Sequence, residues 1–399
     1  MTSVPDRLPA VRRIREHQRR WLDDVRAGAS RGHPFLVCTS DEAEEMANAL
    51  GIAVLVINYW NFVISAGGRA PALTEALHRR GYAGPHFFGL GLAAGLEPEH
   101  APWGGLPTPT LVVGSTRNES ELRVTELWAR ALGCDCYPLD FNFSSPERRI
   151  PPDNWWELIR DHGEDLVDPG RLELRLDQNR RFLAELEART GRALTPGALA
   201  HTMDLVNQQM DVMTRAADLV AAAPRCPVSL RDQVAAYQAT WHRGTSTGLA
   251  LARDYLADVE ARVADGVGAY PRERRRLLFW SMTGEPRFHA HLREAHDAVL
   301  VGSPYAAMPA TYARTVHGDP LRTLTARQLF LFDMRSTSWM IAQARRHRVD
   351  GVIAVERPSP HPSRFAEACR AEGLPYLALP HESDDEANRT ALARFVARL

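Results

Sequence analysis

Two histidines and a glutamate carry the groups best suited to moving protons near neutral pH. His86 stands in Gly84-Pro85-His86-Phe87-Phe88-Gly89, and Glu356 and His361 stand in Val355-Glu356-Arg357-Pro358-Ser359-Pro360-His361. Imidazole and carboxylate are the usual partners in general acid–base chemistry, so His86, His361 and Glu356 are the candidate catalytic residues. Around them recur polar or aromatic groups, each close behind an apolar run: Cys38, Thr39 and Ser40; Tyr59 and Trp60; Ser115 and Arg117; Trp280; Ser303; and Ser359. Hydroxyls can orient a substrate, the planar fork of Arg117 can hold a phosphate or carboxylate, and indoles can line a flat group. These are the candidate substrate-binding residues. No metal site is expected, because the five cysteines do not stand in zinc-ligand spacing. Cys226 and Cys369 have the settings of buried small hydrophobes. Cys134-Asp135-Cys136 is expected to place one thiol in the core and one at the surface. Neither a Ser-His-Asp order nor a phosphate-binding glycine loop stands out.

These groups must be positioned by strands whose exits carry them. Residues 34–38, 51–58, 110–116 and 134–139 are apolar runs of strand length, with helical periods near 71–81 and over 119–132. Ser40 or Asp41 would cap a helix holding Glu42, Glu44 and Glu45 in its first turns, where carboxylates suit the helix dipole. Residues 5–30 show helical spacing through Leu8, Val11, Ile14, Trp21, Leu22 and Val25. From 150 to 222 strand signals vanish and helical periods run over 171–190 and 195–222, with Thr195 as cap and Pro196 in the first turn. The helix-rich stretch continues to Gly268. Strands return at 276–281, 298–301, 349–355 and 374–379, with helices over 365–372 and 385–399. The expected fold class is α/β: two doubly wound, mostly parallel-sheet domains joined by a helical bridge, over residues 1–150, 151–268 and 269–399. In open sheets of this kind ligands bind outside the carboxyl ends of the strands, and the candidate residues fall at those ends.

Composition narrows the classes further. Acidic and basic residues nearly cancel, 49 against 48, which argues against a nucleic-acid or membrane-surface partner. No apolar run approaches the roughly 20 residues that a membrane span needs, and the polar first thirty residues give no sign of a signal peptide. Five cysteines in 399 residues do not suggest a disulfide framework. A cytoplasmic location with reduced thiols is expected.

Several local patterns occur in a telling order. They are Glu42 to Val56, Leu186-Glu187-Ala188-Arg189-Thr190-Gly191-Arg192-Ala193-Leu194 with Asn207, and Arg276-Leu277-Leu278-Phe279-Trp280 with Gly284-Glu285-Pro286. Asp319-Pro320-Leu321, Arg335 and Asp350-Gly351-Val352-Ile353 complete the set. Over most of its length the sequence resembles the 2-hydroxyacyl-CoA dehydratase / benzoyl-CoA reductase family. The resemblance implies a subunit of a heterodimer acting on a CoA thioester, a lyase or reductase. It also implies a [4Fe-4S] cluster held by three cysteines on turns after strands, and an ATP-dependent activator that supplies an electron. Here the corresponding turns, at Pro85-His86-Phe87, Gly114-Ser115-Thr116-Arg117-Asn118 and Ser359–His361, hold no cysteine. Thiolate is the ligand such clusters need, so no cofactor is expected on this chain. The expectation is a cluster-less partner of a homologous, cluster-bearing subunit. The alternatives are a redox-silent enzyme using His86, His361 or Glu356, and a non-catalytic binding or scaffold subunit.

Overall fold

The computed structural model describes residues 7–39, 43–82, 89–115, 119–139, 152–281, 286–330, 336–356, 359, 361–381 and 383–399. The chain opens with helix α1 (Pro9–Ala29), followed by β1 (Phe35–Cys38), α2 (Glu44–Ala49), β2 (Ala53–Val56), α3 (Ile57–Ala66), α4 (Ala70–Arg79), α5 (Gly89–Leu96), β3 (Leu111–Ser115), α6 (Glu119–Leu132) and β4 (Asp135–Leu139). The strands pair in parallel in the order β2-β1-β3-β4. Central strands of such a sheet are covered on both faces and read as unbroken apolar runs, as Phe35-Leu36-Val37-Cys38 does.

A helical stretch follows: α7 (Trp155–His162), α8 (Pro169–Thr190), α9 (Ala198–Ala222), α10 (Leu230–Tyr237) and α11 (Ser246–Ala264). Asp168 caps α8 by accepting from the Arg171 N–H at 2.9 Å, and Gly191 ends it in the left-handed conformation. The expected cap of α9 shifts. Gly197, not Thr195, is the N-cap, and the Thr195 carbonyl accepts from the Ala198 N–H at 3.1 Å.

The second sheet is built from β5 (Arg275–Trp280), α12 (Pro286–His296), β6 (Ala298–Gly302), α13 (Pro304–Ala307), α14 (Pro320–Phe330), α15 (Thr337–Arg346), β7 (Gly351–Val355), α16 (Arg364–Ala371), β8 (Tyr376–Leu379) and α17 (Glu386–Val396). Its parallel order, β6-β5-β7-β8, repeats that of the first. Two parallel α/β sheets are therefore present, as the alternation of strands and helices predicts.

The helices between the sheets bind the molecule together. Leu8, Val11 and Ile14 of the N-terminal segment share one apolar cluster with Met213, Tyr255 and Val259 of α9 and α11 and with Val299 and Val301 of β6. Each such fully buried aliphatic side chain contributes about 1.5–3 kcal/mol. Helix α14 is buried nearly all round, including Thr323, Thr325, Arg327 and Gln328. Among the described residues no helix is long and apolar enough to cross a membrane.

Candidate functional site

In each sheet the chain leaves the first strand for one neighbour and returns to the other side. The switch points therefore lie at the carboxyl ends of β1 and β3, and of β5 and β7, the places where open α/β sheets take ligands. Cys38 and Thr39 end β1; both are buried, and the Thr39 N–H donates to the Val113 carbonyl at 3.0 Å. Ser115 ends β3, with its side chain outside the described residues, as are Ser40, His86 and Arg117. Trp280 ends β5 and packs on Trp339 and Phe365, each with ring centroids 5.6 Å away. Glu356 follows β7, its N–H donating to the Leu379 carbonyl at 2.9 Å. Burial, and then hydrogen bonding with Glu356, push the Tyr376 phenol up. Ser359 and His361 are exposed, and the His361 N–H donates to the Ser359 hydroxyl at 3.2 Å.

The second strand exit departs from expectation. The apolar run from 51 to 58 is not one strand, because β2 stops at Val56 and α3 begins at Ile57 without a turn. Tyr59 and Trp60 are therefore helical and buried. The Tyr59 hydroxyl lies 2.8 Å from that of Thr240, and Trp60 meets Trp103 edge to face at 6.0 Å. The indole N–H of Trp60 and the side-chain amide of Asn61 are buried without a hydrogen-bond partner among the described residues, as is the Ser303 hydroxyl after β6. Each such atom costs about 1–3 kcal/mol of unrecovered desolvation.

Trp103 lines a cavity of 870 Å³ bounded by α1, α3, α10 and α12, near the upper end of ordinary ligand pockets. Phe62 and Val63 of α3 form part of its wall, one turn beyond Tyr59 and Trp60. Cys38, Thr39, Trp280, Ser303, Glu356, Ser359 and His361 do not line it. Trp103 adopts φ 54°, ψ 26°, a left-handed conformation that costs an aromatic residue about 1–3 kcal/mol.

A buried charge network ties the sheet exits to the helical bridge, and sequence reasoning missed it. Glu44 and Glu45 were expected only to complement a helix dipole. Both are buried and are met by Arg243 of the bridge and Arg327 of α14. Arg243 Nε donates to Glu45 Oε1 at 2.6 Å, Arg243 Nη2 donates to Glu44, and Arg327 Nη2 lies 2.6 Å from Glu45 Oε2. Burial alone would raise the Glu45 pKa, but the two guanidiniums outweigh it and hold the carboxyl below its usual range. The Arg243 guanidinium sits over the Tyr312 ring at 4.7 Å. Gly248 lets this turn approach α11: a Cβ there would stand 2.1 Å from the His242 carbonyl oxygen. The adjacent acidic pair at 44–45 was the one visible signal; its partners lie too far along the chain for any local pattern to show.

The thiols are dispersed. Cys38, Cys226 and Cys369 are buried, and Cys134 and Cys136 are half-buried at the edge strand β4. The expected split of the last two into core and surface thiols does not occur, since residues two apart on a strand share a face.

The class that emerges is a paired α/β protein, each half wound in the order 2-1-3-4, with an arginine-rich helical cavity and ion network between the sheets. The family model for the 2-hydroxyglutaryl-CoA dehydratase D-component matches residues 41–397, and the chain belongs to this family. No curated protein matches it.

The turns expected to supply thiolates hold none.

Proposed function

We propose that this chain is the cluster-less subunit of a 2-hydroxyacyl-CoA dehydratase-type enzyme. In this reading a homologous subunit carries the [4Fe-4S] cluster and receives electrons from an ATP-dependent activator. This chain contributes the interface and part of the surface that binds a CoA thioester. His86, His361 and Glu356 remain candidates for proton transfer, and the groups at the strand exits, from Cys38 to Ser359, for substrate contact.

The observation that carries the reading is a mismatch. Family membership extends over residues 41–397, yet the turns that would hold the cluster have no cysteine. Loss of all the ligands together with retention of the fold favours division of labour between subunits, because chemistry resides in the site and not in the fold.

The test is anaerobic purification of the chain alone and after co-expression with a cysteine-complete homologue, with iron, sulfide and visible-absorption measurements. The expected result is no cluster on the chain alone and a stable pair whose iron resides in the partner. Stoichiometric iron and sulfide on the isolated chain would overturn the reading. So would aerobic turnover of a CoA thioester by the chain alone.

A further inference from the structure

Three arginines converge on the 870 Å³ cavity without carboxylate partners of their own. Arg7 and Arg15 come from the N-terminal segment and α1, and Arg231 from the first turn of α10. Among the described residues none of the three forms an ion pair, and Arg7 Nη1 is buried without a hydrogen-bond partner. Their crowding registers in their protonation. Burial first, then the charges of Arg7 and Arg231, bring Arg15 down to about 10. Burial and then Arg231 lower Arg7 as well.

One carboxylate faces the group. Asp232 is buried and accepts from the Leu8 N–H at 3.2 Å. Three guanidiniums against one carboxylate leave the cavity with excess positive charge. The other cavity arginines are engaged elsewhere: Arg293 pairs with Glu294 at 2.9 Å, and Arg69 donates to the His100 carbonyl at 3.0 Å. Arg15 and Arg231 both keep a solvent-facing side while lining the cavity, and their mutual repulsion brings the fold nothing. A local conflict that opposes stability and has no structural return marks a functional site. Concave walls of low dielectric focus such a field on an anion, and guanidinium forks match phosphate oxygens. The ring of Trp103 on the cavity wall, held in its unusual backbone conformation, offers an aromatic platform.

We propose that this cavity binds a nucleotide: its phosphates sit on Arg7, Arg15 and Arg231, and its base stacks against Trp103. The proposal rests on the CoA-thioester reading for the source of that nucleotide, since CoA ends in a 3′-phosphorylated ADP. A free nucleotide would present the same chemistry.

Calorimetric titration of the full chain with CoA, 3′,5′-ADP and pantetheine, in wild type and in the double variant Arg15→Gln/Arg231→Gln, separates the cases. CoA and 3′,5′-ADP are expected to bind, pantetheine not to bind, and the variant to weaken both by at least about tenfold, the loss expected from removing charge-assisted contacts. Without ligand, the variant's thermal midpoint should equal or exceed that of wild type, because like charges have been removed from exposed positions. Absence of binding by both CoA and 3′,5′-ADP, or equal binding by the variant, would overturn the assignment. If 3′,5′-ADP binds through these arginines and CoA does not, the nucleotide site stands and the CoA-thioester reading fails. If CoA binds equally well to the variant, the CoA-thioester reading stands and this cavity is not its site.

Discussion

Arg243 Nε donates to Glu45 Oε1 at 2.6 Å across a sequence separation of 198 residues, with both side chains fully buried. This contact fixes the helix after β1 against the bridge, and Arg327 extends it to α14. Breaking a buried pair from one side leaves an uncompensated charge, whereas replacing both members by apolar groups of similar volume is often neutral. Glu45→Gln is therefore expected to lower the unfolding free energy by about 3–5 kcal/mol, measured by urea denaturation. The same carboxyl sets an acid limit. Its folded pKa lies below the unfolded value of 4.5, so its contribution is complete above that pH and is lost as pH falls toward the folded value. Glu45→Gln should flatten that acid limb.

The order of strands and helices was legible because parallel strands are apolar runs and their crossover helices are periodic. Glu119–Leu132 matches its expected span without shift. The misses have local causes. At Val56–Ile57 the apolar run continues unbroken while the backbone turns from strand to helix, so no polar punctuation marked the boundary. At α9 a glycine able to adopt positive φ took the cap from the threonine two residues before it. The switch-point positions of Cys38 and Trp280 followed from topology alone. The arginine cavity did not, because its lining is gathered from α1, α3, α10 and α12, none of which carries a motif.

His242 and His347 give the fold a second pH dependence, beginning nearer neutral pH. Burial and then His17 hold His242 down at about 3; burial and then Arg346 and Arg276 do the same to His347. Both are neutral in the native state and gain protons in the unfolded chain below about pH 6.5. The unfolded state then binds more protons, so stability falls as pH drops from 6.5 toward 3, by about 1.4 kcal/mol per pH unit for each histidine well inside that window. Chemical denaturation between pH 7 and 5 is expected to show this slope. His242→Gln or His347→Gln should each remove about half of it, whatever it does to absolute stability. A slope unchanged in both variants would place the pH dependence elsewhere.

The thiols give the most direct check on the cluster-less reading that needs no partner. Cys226 and Cys369 are buried, with burial pushing both up to about 12, aided by Glu273 and Glu356 respectively. Burial and then the neighbouring Cys134 raise Cys136 to about 11. Cys38 has no exposed surface. Since the thiolate is the reacting form, iodoacetamide at pH 8 should modify Cys134 and Cys136 slowly and the other three not at all. All five thiols should become reactive in urea, as read by mass spectrometry. Anaerobic addition of ferrous iron and sulfide before alkylation should leave this pattern unchanged, because the turns expected to supply cluster ligands carry no cysteine. Protection of Cys134 and Cys136 by iron and sulfide would instead show that this edge-strand pair gathers metal, and the chain would have to be reread as a cluster-binding subunit with relocated ligands.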